Sequence, residues 1–145
     1  MKQPIMRFKD EKELQQATRK WQGILQLNDW LIKTNLVDDA IKDGNDTCDG
    51  INNVTHSTKT AIITISHCND IDFVFKHCEE LVLIHELLHC TIMAVGNTQR
   101  SIEACVYEEV MHQPIDTIAR ALLMTEYNLT FEWFMEDEIK EQEVF

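Results

Sequence analysis

The sequence predicts an α+β domain, and three stretches carry that prediction. Residues 79–95 are apolar nearly all round, which marks a helix enclosed within a domain and not one lying on its surface. Residues 58–66, TKTAIITIS, are β-branched almost throughout and predict a strand. Residues 10–27 place Leu14, Trp21, Ile24 and Leu25 at helical intervals behind Asp10 and Glu13 in capping-box spacing, which predicts an amphipathic helix.

The other elements follow in chain order. After the first helix, DWLIKTNLVDD alternates Trp30, Ile32, Thr34 and Leu36 with Leu31, Lys33, Asn35 and Val37, and reads as a strand. Residues 39–57 concentrate Asp, Asn and Gly, which tolerate tight turns, so a loop is expected there. Beyond the 58–66 strand, a long helix is expected from Asp70 or Asp72 to Val95, with Gly96 and Asn97 as its stop signal. One or two further helices should occupy 100–127. Pro114 fits best in a first turn, because it cannot donate a hydrogen bond from a helix interior. Residues 132–145 mix aromatics with an acidic run and form a tail to the domain.

Size and charge narrow the classes. A chain of 145 residues is one ordinary domain, here taken as 1–145. No apolar run approaches a membrane span, and the N-terminus lacks the apolar stretch of a secretory signal, so a cytoplasmic protein is expected. A net charge of −12 repels a phosphate backbone, which argues against a nucleic-acid partner. Five cysteines without a CxxC pair argue against a disulfide framework; reduced, mostly buried thiols are expected.

Inside the most apolar helix sits HELLH, residues 85–89. Burying two imidazoles and a carboxylate costs on the order of 1–3 kcal/mol for each group left without a partner. A metal ion supplies that partner. His85 and His89 are four apart, so both leave one helix face and can converge on one ion. Glu86, one step round, can reach a water on that ion and take its proton as the water attacks a carbonyl. Zn²⁺ is the expected cofactor for this arrangement, with a peptide or protein as substrate. A catalytic zinc takes three protein ligands and keeps a fourth position open. The third candidate lies downstream: His112 first, since Ile115, Ala119 and Leu122 continue its apolar face, then Glu108 and Glu109. Tyr107 or Tyr127 could donate to the oxyanion, the alternative for each being a buried aromatic.

On these residues the chain resembles the small single-domain, zincin-like metallopeptidases of phages and prophages. The shared features are Trp21, Leu25, Asp29 and Trp30 near the end of the first helix, KTAIITI at 59–65, E-x-L-V-x-H-E-L-L-H at 79–89, and His112 to Leu122 in the position of the last helix. More remotely it is similar to the repressor-cleaving ImmA/IrrE group and the SprT-like proteases. The resemblance implies a minimal αββαα zincin-like core, a small sheet with an edge strand beside the site, a C-terminal helix supplying the third ligand, and peptide hydrolysis, in the host cytoplasm if phage-encoded. Where that family's last helix begins with a glutamate this chain has His112, so the implied ligand set changes from His-His-Glu to His-His-His, unless Glu108 takes the role. In zincins the edge strand pairs with an extended peptide, and Ile63 and Ile65 alternating with Thr64 and Ser66 fit such an edge or an interior strand.

Two other readings are open. A zinc-stabilised interaction module would keep the metal and drop catalysis, though it would have no need of Glu86. The pairs His67-Cys68, His77-Cys78 and His89-Cys90 evoke a structural zinc site, but they lack the short cysteine knuckle.

Overall fold

Asp10 ends the N-terminal segment by capping helix α1 (Glu11–Ile24), its Oδ1 accepting the backbone N–H of Glu13 at 2.9 Å, while Glu13 Oε1 accepts from Lys9 N at 3.1 Å. The spacing seen in the sequence is thus a working cap. The computed structural model describes residues 2–43, 46–68, 76–92 and 103–135; for residues 43, 46, 92 and 103–111 it describes the backbone alone.

Strand β1 (Leu31–Val37) lies parallel to β5 (Thr60–Ser66), which lies antiparallel to β4 (Gly50–Thr55), giving the order β1-β5-β4. A separate hairpin pairs β2 (Ile41–Asp43) with β3 (Asp46–Cys48). The α+β class therefore holds, with three helices and a small mixed sheet. One expectation is corrected. The 39–57 stretch is not a loop but contains three strands, so the element order is not αββαα. Its Asp, Asn and Gly disguise β4, which is held by backbone pairing to β5 while Gly50, Asn52 and Val54 alternate with Ile51, Asn53 and Thr55 in no apolar pattern. Of the two readings of the 58–66 strand, edge or interior, the interior one holds: β5 is central, with Ala61, Ile63 and Ile65 buried, and β4 takes the edge beside α2 (Glu79–Ile92).

Register places Ile32, Thr34 and Leu36 on the same sheet face as Ala61, Ile63 and Ile65 and as Val54, Asn52 and Gly50. The helices pack on that face, α1 over β1 and α2 over β5 and β4. The other face carries Leu31 and Ile62, 65% and 44% exposed. Leu83, Ile84 and Leu87 of α2 are fully buried, each contributing roughly 1.5–3 kcal/mol.

Helix α2 begins at Glu79 and not at Asp70 or Asp72, because residues 76–78 are non-helical. The N-terminal segment fixes this start: Glu79 N and Glu80 N donate to the carbonyls of Met6 and Ile5, both at 3.1 Å. Both glutamates are buried, yet fully engaged. Glu79 accepts from Phe8 N at 2.8 Å and lies 2.8 Å from His67 Nδ1; Glu80 accepts from Ile5 N, Trp21 Nε1 and the Tyr127 hydroxyl at 2.6–2.9 Å. Charge-assisted bonds at a helix N-terminus, where the dipole favours anions, offset their desolvation. The expected end at Val95, with Gly96 and Asn97, lies outside the described residues.

Helix α3 (Glu103–Tyr127) runs through Pro114, which is in its interior and not in a first turn. An interior proline costs about 3 kcal/mol. Here Ile115, Ala119 and Leu123, all buried and all beyond the proline, hold the helix against the core and offset that cost. The start of the tail packs as well: residues Phe131–Met135 form a 3-10 turn that buries Phe134, whose carbonyl accepts from Lys76 N at 2.9 Å. Residues 136–145 are outside the described part. Among the described residues no disulfide links the cysteines, and Cys78 and Cys90 are buried. No helix among them is long and apolar enough to cross a membrane.

Candidate metal centre

The enclosed α2 presents His85 and His89 one turn apart, and α3 brings His112 to face them. The three rings stand at mutual centroid distances of 5.0, 5.4 and 5.3 Å, each pair edge-on. Their ligand nitrogens all lie within 4.8 Å of one another, and His85 Nε2 and His89 Nε2 are 3.3 Å apart. Tetrahedral zinc with nitrogens at 2.0–2.1 Å needs neighbouring donors about 3.3–3.4 Å apart. The His85–His89 separation meets that figure, and His112, the most exposed of the three, closes the set. These donors therefore fit a divalent cation. The side chains of Glu108 and Glu109, the other candidates for the third position, lie outside the described residues.

His85 is oriented by a residue the sequence reading passed over. Asp116 Oδ1 sits 2.6 Å from His85 Nδ1, which assigns the proton to Nδ1 and leaves the Nε2 lone pair facing His89. Burial acts to lower the His85 pKa, but the bond to Asp116 and the charges of Glu86, Asp116 and Asp49 outweigh it and raise the value. Burial pushes Asp116 the other way, and the same bond with His85 wins, holding its carboxyl below the usual range. His89 has no such support: burial, then His85 and His112, push it down to about 4. It is thus a neutral imidazole at physiological pH, the form that binds a metal.

Glu86 is 7% exposed, with Oε1 4.0 Å from His85 Nε2. Burial raises its carboxyl to about 7, against the pull of His85 and with Asp49 and Asp116 adding to the rise. Strand β4 cradles this residue. Asn52 Nδ2 donates to the Glu86 carbonyl at 2.7 Å, and Gly50 leaves room for the side chain: a Cβ there would stand 2.5 Å from Val82 Cγ1 and 3.3 Å from Glu86 Cγ.

No protein-family model, curated protein or solved structure matches the chain. What the site can do is therefore read from its own groups.

The other candidates separate from this cluster. Of the two readings weighed for Tyr127, the buried aromatic holds: it is buried and donates its hydroxyl to Glu80 at the far end of α2; Tyr107's side chain is outside the described residues. The histidine-cysteine pairs do not gather, since among the described residues only His85, His89 and His112 form a ligand group. Asp116, Asn52 and Gly50 were missed. Asp116 alone had a signal, lying four residues after His112 and hence on its helix face.

Proposed function

We propose that this protein is a zinc-dependent peptidase of minimal zincin-like type, with His85, His89 and His112 as metal ligands and Glu86 as general base. One observation carries this: three imidazoles converge beside the buried carboxyl of Glu86, a group placed to accept a proton and return it. Zinc held there supplies a Lewis acid that polarises a scissile carbonyl and makes water acidic enough to react near neutrality. Glu86 takes the proton from the attacking water and delivers it to the departing amine. Asp116 keeps His85 in the tautomer whose Nε2 is free to ligate. Three protein ligands leave a coordination position open, as a catalytic site requires and a purely structural one does not. The placement of edge strand β4 against Glu86, and the HELLH resemblance, support a peptide as the carbonyl substrate.

The test pairs wild type with Glu86→Gln. Elemental analysis should find zinc in both, and a mixed peptide pool read by mass spectrometry should be cut only by wild type, the variant being slower by roughly 10²–10⁴. Equal cutting by the variant would overturn the role of Glu86. Zinc bound by a wild type that cuts nothing would favour a metal-stabilised interaction module.

A further inference from the structure

At the sheet edge opposite β4, strand β1 has no further strand partner among the described residues and lies beside a polar groove. Leu31 N donates to the carbonyl of Lys59 and Val37 O accepts from His67 N, at 3.0 and 2.8 Å, which fixes the phase of the parallel ladder. Leu31, Lys33, Asn35 and Val37 then bond toward β5, and the backbone groups of Ile32, Thr34 and Leu36 point away from it. Side chains from α1 close this edge at both ends. Glu11 Oε1 accepts from Leu36 N and Gln22 Nε2 donates to the Trp30 carbonyl, each at 3.2 Å. Between those stops the rungs of Ile32 and Thr34 face a groove of about 340 Å³, walled by Gln15, Thr18, Arg19 and Gln22 of α1 and floored by residues 32–35.

We propose that this groove docks a short extended peptide segment carrying carboxylate side chains, which adds to β1 as a further strand. Main-chain bonds to Ile32 and Thr34 would supply affinity, as in other strand-addition sites beside a helix. Thr34 is 8% exposed and its Oγ1 has no hydrogen-bond partner among the described residues, so the groove floor holds an unclaimed polar group. Arg19 and Lys33 flank it, and among the described residues neither makes an ion pair, in a chain whose net charge is −12. Uncovered positive charge in such a chain selects an acidic partner. A carboxylate, that of Glu11, already occupies the adjacent rung. Because β5 separates β1 from β4, a segment docked here leaves Glu86 free, and the proposal stands apart from the hydrolytic function.

The probe is the peptide acetyl-Val-Glu-Val-Glu-Val-amide, titrated into ¹⁵N-labelled full-length protein, with the lysine-for-glutamate peptide as control. Saturable shifts and slowed hydrogen exchange are expected at the amides of Ile32 and Thr34. Binding should weaken at least tenfold in the double variant Arg19→Glu with Lys33→Glu, whose exposed positions leave zinc content unchanged, and the lysine peptide should not bind. Absence of shifts at Ile32 and Thr34, equal binding of the lysine peptide, or unchanged affinity in the double variant overturns the proposal. So does a concentration-dependent rise in mass by light scattering without peptide that broadens the same two amides, which would make the occupant a second copy of the chain.

Discussion

His85 and Asp116 meet at 2.6 Å across the α2–α3 packing, so the helix that carries His112 also orients a histidine of HELLH. Carboxylates that hold a ligating imidazole fix its tautomer and raise its basicity. Asp116→Ala should therefore lower zinc affinity by roughly 10–100-fold, the usual cost of losing such a partner. Competition against a chelator measures this, with circular dichroism to show that the helices persist. An unchanged affinity would mean that the contact orients nothing the metal uses.

His112 is exposed where His85 and His89 are partly buried, yet its ring closes the triangle at 5.3–5.4 Å from theirs. His112→Ala should leave two ligands and bring the zinc content of dialysed protein well below one equivalent, while Glu108→Ala and Glu109→Ala retain it. Retention by His112→Ala with loss in Glu108→Ala would move the third ligand to Glu108.

The parts of this site that were legible in the sequence are those written in local spacing. His85, Glu86 and His89 announce themselves because a helix turns every 3.6 residues and the run around them is apolar. The Asp10–Glu13 cap and strands β1 and β5 were legible for the same reason. Strand β4 was not, because its cause lies in another segment: Asn52 and Asn53 read as turn residues until β5 pairs with them. Pro114 read as a helix start, since the burial of Ile115, Ala119 and Leu123 that keeps α3 continuous is tertiary. The start of α2 was misplaced because it is set by Ile5 and Met6, more than seventy residues away in sequence. Asp116 had helical spacing from His112, but nothing local said which histidine it would meet.

Gly50 tests the cradle around Glu86. Alanine there would place its methyl 2.5 Å from Val82 Cγ1 and 3.3 Å from Glu86 Cγ, so α2 or β4 must shift. Overpacking of this kind costs about 1–3 kcal/mol. Gly50→Ala is expected to lose that much in urea unfolding and, under the proposed function, to lose peptide cleavage at full zinc occupancy, since the displaced group is the proposed base and not a proposed ligand. Wild-type activity in the variant would show that Glu86 tolerates movement that a general base should not.

The raised carboxyl of Glu86 has a signature in the metal-free protein. Its pKa of about 7 in the fold stands above the ordinary 4.5. Between those values the folded chain keeps a proton that the unfolded chain has released, so this group lowers stability as pH rises from 4.5 to 7 and is fully felt above that. The difference amounts to about 3 kcal/mol. His89, held down at about 4, works in the opposite sense: its contribution is lost as pH falls from 6.5 toward 4, and it is common to wild type and Glu86→Gln. Urea unfolding in chelator at pH 4.5 and pH 8 should thus find Glu86→Gln gaining on wild type by a few kcal/mol at the higher pH. If the two proteins keep a constant difference across that range, Glu86 titrates as an ordinary surface carboxylate and burial does not raise it.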